Sequence, residues 1–117
     1  MKKQTLLPKF TYAGRGLVYL WRHERSFRWQ VAAALGAQAV AWYLSLDPVS
    51  WALITVVSFV VLSAEAFNTV LERLFDLVEP RLSAQVGVLK NLLAAAVLLV
   101  AVGAVAVALF VFVSGRP

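Results

Sequence analysis

The chain has 117 residues, of which 62% are hydrophobic and 15% are charged, and its net charge at neutral pH is +5. This length predicts one domain, and the apolar content indicates that most of the chain lies outside water. The absence of Cys and the presence of a single His exclude disulfides, thiolate metal sites and a multi-histidine centre. The positive charge fits the positive-inside pattern of membrane proteins better than a nucleic-acid interface.

Residues 1–29 form the first predicted element, a basic and aromatic stretch. Apolar residues recur there at intervals of three or four, from Phe10 through Leu17 to Phe27. This spacing predicts an amphipathic helix that lies in the membrane interface, anchored on anionic lipid by its cations. Glu24 stands among four of those cations and could be no more than a surface ion-pair partner.

Three apolar segments follow and predict three transmembrane helices. Their ranges are about 30–46, 51–72 and 89–113. Trp and Tyr flank the first segment, where aromatic belts are found in membrane proteins. Asp47 to Ser50 predicts a tight turn that ends the first span. The fold class is therefore an all-α membrane protein with one domain, residues 1–117.

The distribution of Lys and Arg predicts the orientation of these spans. Seven basic residues precede the first span, three flank the loop between the second and third, and one follows the third. The positive-inside rule places the N-terminus and that loop in the cytoplasm and the C-terminus outside. Three spans are few for a bundle with a polar face, which favours a homo-oligomer.

Acidic residues are concentrated between Ser63 and Glu79, which holds four of the six in the chain. The polar residues of this stretch are spaced by three, four and four positions, so they share one face of a helix at the cytoplasmic end of the second span. They are Glu65, Asn68, Glu72 and Asp76. Carboxylates persist in an apolar segment where a cation, protons or a polar partner offsets the cost of desolvation.

The oxygen donors of Glu65, Asn68 and Glu72 suit Mg²⁺ better than zinc or copper. Mg²⁺ usually completes its coordination with water and phosphate, so a site at the cytosolic interface indicates a nucleotide phosphate. Lys90, at the start of the third span, could supply a positive charge to that phosphate. Glu65 lies deeper and suits a general base for a lipid hydroxyl. No Gly-rich phosphate loop is present, which excludes the soluble nucleotide-binding folds.

Other interpretations fit the same residues. A buried carboxylate could be protonated and merely hydrogen-bonded, or could belong to a proton relay or an ion site. Arg73 could pair with Asp76 or Glu72, and Lys90 could be a snorkelling anchor. Asp76 and Glu79 could be solvated surface charges.

Four motifs occur in order along nearly the whole chain. They are F-T-Y-A-G-R-G-L at Phe10–Leu17, H-E-R-S-F-R at His23–Arg28, E-A-F-N-T-V-L-E-R-L-F-D at Glu65–Asp76 and K-N-L-L-A-A-A-V-L at Lys90–Leu98. Together they resemble the small prokaryotic diacylglycerol kinase family, which includes the undecaprenol kinases. The third motif is the most specific, because it matches the family's E-x-x-N-T/S-x-x-E-x-x-x-D.

The resemblance implies a homotrimer in the bacterial cytoplasmic (inner) membrane, with active sites shared between subunits at the cytoplasmic interface. It implies transfer of the γ-phosphoryl group of MgATP to a membrane lipid alcohol, diacylglycerol or undecaprenol. Under this resemblance Glu24 and Glu72 hold Mg²⁺ and Glu65 is the base. Asn68 and Glu65 contact the lipid or the transferred group. The residues implied in nucleotide binding are Tyr12, Glu24, Glu72, Asp76, Gly87, Lys90 and Asn91.

Three positions depart from the family pattern. Asn91 stands where the family has Asp, Gln30 where some members have Glu, and Ser83 where many have His. Without the Asp, the site lacks a charge-assisted acceptor beside the nucleotide. The departures at Asn91 and Ser83 motivate an alternative function, that of a non-catalytic or substrate-shifted member of the fold that binds lipid, nucleotide or a protein partner.

Overall fold

The computed structural model describes residues 2–78 and 83–114, and the regular structure in these ranges is helical. The helices are α1 (Lys2–His23), α2 (Arg25–Tyr43), α3 (Pro48–Val78) and α4 (Ser83–Ser114). The molecule is elongated, with extents of 57 × 41 × 25 Å. The predicted all-α fold is confirmed, and α3 and α4 follow the two long apolar runs of the sequence.

Helices α3 and α4 are long and apolar enough to cross a membrane. Each contributes 31 residues, Pro48–Val78 and Ala84–Ser114. At a rise of 1.5 Å per residue such a helix is about 46 Å long, against roughly 30 Å for the hydrocarbon core. Helix α2 has 19 residues and carries Gln30 and Gln38, and it is not among the helices of the described residues that pass this test. The first predicted span, over residues 30–46, stays a prediction.

The helices share a small apolar core beside the turn between α2 and α3. Ala41 and Leu46 pack there against Ile54 of α3 and Val111 of α4. Many large apolar side chains instead point outward, among them Phe67 on α3. An apolar surface of this extent is suited to contact with lipid or with another copy of the chain.

Helices α1 and α2 are separated by a break at Glu24, whose backbone is extended at φ −118° and ψ 104°. Arg28 stabilises the break from the first turn of α2. Its Nη1 atom donates to the carbonyl oxygens of Trp21 at 2.6 Å and Arg22 at 3.4 Å, at the end of α1. A cation is favourable there because the last carbonyls of a helix have no partner within it. The predicted interfacial segment, residues 1–29, therefore comprises α1 and the start of α2.

The chain reverses between α2 and α3 at residues 44–47, where Ser45 adopts a positive φ of 54°. The tight turn predicted at Asp47 to Ser50 is wrong, because Pro48 is the first residue of α3. Proline fits the first helical position, where its missing N–H is not needed. Asp47 caps the helix by accepting the backbone N–H of Ser50 at 3.2 Å. Hydrogen bonds from the Ser50 hydroxyl and from the Ser50 backbone N–H lower the pKa of the Asp47 carboxyl below its ordinary value.

A polar network joins α2 to α3 among apolar neighbours. The Trp51 indole N–H donates to Oε1 of Gln38 at 2.6 Å, and the Gln38 amide donates to the Thr55 hydroxyl at 3.0 Å. The Thr55 hydroxyl in turn donates to the Trp51 carbonyl at 3.0 Å. Gln38 is therefore both acceptor and donor between the two helices, and its side chain holds them in one register.

Gln38→Leu is expected to destabilise the folded protein by about 1 kcal/mol, within the range measured for hydrogen bonds between helices in membranes. The reason is that both α2–α3 hydrogen bonds are lost and the Trp51 N–H is left unpaired. Reversible unfolding in mixed detergent micelles measures the change. Ser58→Ala is the matched control, since the Ser58 hydroxyl bonds the Ile54 carbonyl of its own helix. Equal stabilities for the Gln38 and Ser58 variants would contradict the assigned role.

Candidate active site

The acidic stretch lies on the C-terminal half of α3, and two other elements bring polar side chains to it. The break between α1 and α2 places Glu24 beside α3. The first part of α4 brings Lys90 to the same end of the molecule. Thr69 is buried on the face of α3 that meets the break. Leu20 of α1 and Phe27 of α2 are also buried, on either side of the break. The apolar packing of these helices thus fixes where the polar groups meet.

Glu24 is bound to α3 by an ion pair with Arg73. Nη2 of Arg73 lies 2.7 Å from Oε2 of Glu24, and the two side chains are 55% and 23% exposed. The Arg73 guanidinium also lies over the Tyr19 ring of α1, 5.9 Å from its centroid, within cation–π range. Of the interpretations open for Arg73, a pairing with Asp76 or Glu72 is not the one observed, because its ion-pair partner Glu24 comes from the break between α1 and α2. That partner is remote in sequence.

Glu65 faces the first turn of α2. The Ser26 hydroxyl donates to Oε2 of Glu65 at 3.0 Å. One turn along α3, the Thr69 hydroxyl lies 3.0 Å from the Glu65 carbonyl and 3.5 Å from Oε1 of Glu24. A hydroxyl has one proton, so the nearer carbonyl is its main acceptor. Glu24 and Glu65 are thus connected through Thr69, on the side of α3 that faces α1 and α2.

The remaining acidic residues of α3 have partners of their own. The Asn68 amide donates to Oε1 of Glu72 one turn further on, which agrees with the predicted common face. Asp76 lies 3.7 Å from the Lys90 ammonium of α4. Glu72 and Asp76 are exposed. Water, phosphate or another subunit therefore has access to both carboxylates.

Three predicted nucleotide-binding residues lie at exposed positions. Tyr12 is 64% exposed on α1. Gly87 and Asn91 are exposed on α4, and open space surrounds the position that a Cβ atom would take at Gly87. Glu79 lies outside the described residues, as does the side chain of Ser83. The roles implied for Tyr12, Gly87 and Asn91 stay predictions.

The carboxylates are of the right chemical type for Mg²⁺. Among the described residues, no three His, Cys, Asp or Glu side chains come together to hold a metal. Mg²⁺ needs only one or two carboxylates when water and substrate phosphates complete its shell. Glu24 and Glu72, predicted as its ligands, are half-buried and exposed, respectively. Their present partners are Arg73 and Asn68.

An apolar groove lies between α1 and α3, next to the ion pair of Glu24 and Arg73. Its volume is about 720 Å³. The apolar wall includes Ala13, Gly16, Leu17, Ala66, Val70 and Leu74. Thr69, Arg73 and Tyr19 also line it. The groove therefore offers a hydrocarbon-like surface that ends beside charged groups, as an amphiphilic ligand requires.

A family model described as prokaryotic diacylglycerol kinase matches residues 11–112. The chain belongs to this family. The diacylglycerol kinase match spans all four helices and includes the predicted site residues. Together with the two long apolar helices, it identifies a membrane protein.

Two kinases have sequences similar to that of this chain. An undecaprenol kinase of Bacillus subtilis (strain 168) is 29% identical over 103 residues, which cover 88% of this chain and 84% of the relative. A diacylglycerol kinase of Synechocystis sp. is 32% identical over 103 residues, which cover 87% of this chain and 59% of that longer relative.

Sequence reasoning did not single out Ser26, Thr69 or Arg73 as part of the site. Ser26 and Thr69 stand inside motifs that carry the resemblance, next to predicted residues, so the motifs themselves contained a signal for them. Arg73 occupies a variable position of the family's acidic motif. Its contact with Glu24 depends on the break between α1 and α2, which no pattern in the sequence indicates.

Proposed function

We propose that the protein is a lipid kinase that transfers the γ-phosphoryl group of MgATP to a membrane lipid alcohol, diacylglycerol or undecaprenol. The observation that carries the proposal is the contact of Glu24 with Arg73 and Thr69, which neighbour the acidic residues of α3, beside an apolar groove. The family match and the names of the two relatives support the same reaction class. Phosphoryl transfer demands alignment and charge neutralisation more than covalent chemistry from the protein.

Glu65 is the proposed general base. It takes the proton of the lipid hydroxyl as that oxygen bonds to the γ-phosphorus and the bond to the departing ADP breaks. The Ser26 hydroxyl, 3.0 Å from Oε2, fixes the orientation of the carboxylate. Asn68 lies one turn along α3 and positions the lipid or the transferred group.

Glu24 and Glu72 are the proposed ligands of Mg²⁺, which when bound would neutralise phosphate charge. Lys90 and Asp76, already 3.7 Å apart, would lie against the nucleotide phosphates. Tyr12, Gly87 and Asn91 would line the nucleotide pocket. The ligand set for the nucleotide thus comes from α1, α3, α4 and the break at Glu24.

We further propose a homotrimer with shared active sites in the bacterial cytoplasmic (inner) membrane. Exposed Glu72 and the exposed apolar faces of the helices support contact with other copies of the chain. The basic residues before α2 and around the α3–α4 loop support a cytoplasmic N-terminus and an outward C-terminus. In this orientation ATP reaches the site from the cytosol and the lipid hydroxyl arrives laterally.

The proposal predicts that purified protein with Mg²⁺ and γ-labelled ATP transfers the label to a lipid alcohol. Thin-layer chromatography of a panel containing diacylglycerol, undecaprenol and a soluble alcohol identifies the acceptor. Label is expected on one of the two lipids, and chelation of Mg²⁺ should abolish it. The matched control is the same lipid with its hydroxyl methylated.

A protein that binds nucleotide but labels no lipid would instead support the non-catalytic alternative. The replacement of the family's Asp by Asn91 favours that alternative. Proton flux in liposomes without metal would support a proton relay through Glu65.

A further inference from the structure

Glu24 stands at the N-cap of α2 but does not cap it. The short side chains of Ser, Thr, Asp and Asn at this position accept a backbone N–H from the first turn of their own helix. The Glu24 side chain makes no such bond. Its carboxylate instead crosses to α3, where it meets Arg73 and Thr69. The Glu24 carboxylate is therefore held by contacts to α3 and not by its own helix.

Arg73 is the group that holds it. The 2.7 Å contact to Oε2 is short and charge-assisted, whereas the Thr69 hydroxyl lies 3.5 Å from Oε1 and is closer to the Glu65 carbonyl. The two oxygens of Glu24 thus differ in their surroundings. Oε2 is tied to Arg73, and Oε1 has the weaker contact. The Arg73 guanidinium also lies 5.9 Å from the centroid of the Tyr19 ring of α1, within cation–π range.

We propose that Arg73 is a positioning residue, which holds the Glu24 carboxylate against α3 so that its other oxygen faces the magnesium-nucleotide. This inference rests on the proposed function, since it concerns the same site. Groups that bond to a metal ligand orient it, and their loss typically weakens metal binding about 10–100-fold. Arg73 fits this role because its guanidinium can bond one carboxylate oxygen while the second oxygen coordinates an ion.

Binding of Mn²⁺ with a non-hydrolysable ATP analogue tests the role of Arg73 without turnover. Electron paramagnetic resonance of the purified protein reports the bound Mn²⁺. Arg73→Ala is expected to weaken binding about 10–100-fold. Arg73→Lys keeps the charge but loses the planar fork, so its affinity should lie between those of wild type and Arg73→Ala. Arg25→Ala is the matched control, because it removes a neighbouring exposed charge and should bind as wild type.

Kinetics and a double variant separate positioning from a general loss of structure. Arg73→Ala should raise KM for MgATP and change kcat at saturating MgATP little. Adding Arg73→Ala to Glu24→Gln should cause no further loss of affinity, because Arg73 acts through Glu24. Arg73→Lys keeps the test valid if Arg73→Ala does not fold.

Unchanged Mn²⁺-nucleotide binding in Arg73→Ala and Arg73→Lys would overturn the inference, and tighter binding would overturn it by making Arg73 a competitor of the metal. An equal loss in Arg25→Ala would overturn it as well, since the effect would then be one of net charge. Either result leaves lipid phosphorylation by the wild type intact, so the proposed function would survive. If the wild type neither binds Mn²⁺-nucleotide nor phosphorylates a lipid, the proposed function fails and the inference fails with it.

Discussion

Glu65→Gln is expected to abolish measurable phosphoryl transfer, with a loss in kcat of about 10²–10⁴-fold, the usual contribution of a general base. Glutamine cannot accept the proton of the lipid hydroxyl, but its amide oxygen can still accept the Ser26 hydroxyl that now bonds Oε2. The substitution therefore removes the base and preserves the local hydrogen bond. Transfer of label from γ-labelled ATP to the lipid acceptor measures the effect.

Ser26→Ala is the companion variant for Glu65. It keeps the carboxylate and removes the hydroxyl that orients it, so a smaller loss in kcat is expected. Glu65→Gln should still bind Mn²⁺ with the nucleotide analogue and should migrate as the wild-type oligomer on size exclusion. If the Glu65→Gln protein turned over at the wild-type rate, Glu65 would not be the general base.

The sequence predicted the parts of the fold that depend on local pattern. The long apolar runs determine α3 and α4, because a helix satisfies its own backbone in an apolar environment. The spacing of the acidic motif likewise places Asn68 and Glu72 one turn apart, and their side chains do bond to each other. These features require only the helical period and the identity of neighbouring residues.

The features that the sequence did not predict depend on contacts between distant residues. The break at Glu24 is stabilised by Arg28 reaching back to α1, and the partner of Arg73 lies 49 positions away in the chain. Periodicity cannot predict either contact, since both depend on how α1 and α2 pack against α3. The sequence pattern misplaces the α2–α3 turn, because Asp-Pro is typical of a turn and also of a helix start, and here it starts α3.

The proposed homotrimer also bears on the site. Within one chain, Arg73 bonds the Glu24 carboxylate and Asn68 bonds the Glu72 carboxylate. The side chains of Glu72 and Asp76 are exposed. A neighbouring subunit could therefore supply groups to an incomplete nucleotide site, as the proposed shared active site requires. The residues of α3 would then serve two copies of the chain at once.

Glu72→Gln is expected to abolish activity by a different route, the loss of metal-nucleotide binding. The substitution removes one of two proposed carboxylate ligands while leaving an amide that can still bond Asn68. Affinity for Mn²⁺ with the nucleotide analogue should fall more than about 100-fold, beyond the range for residues that only orient a ligand. Titration by electron paramagnetic resonance measures it, beside the label-transfer assay.

The contrast between Glu72→Gln and Glu65→Gln makes the assignment specific. Both variants should be inactive, but only Glu72→Gln should lose Mn²⁺-nucleotide binding, because Glu65 is assigned to the lipid hydroxyl. Glu72→Asp, which keeps a carboxylate on a shorter side chain, should recover part of the binding and serves as the matched control. Wild-type affinity in Glu72→Gln would exclude Glu72 as a metal ligand, and a loss of binding in Glu65→Gln would show that the two roles are not separate.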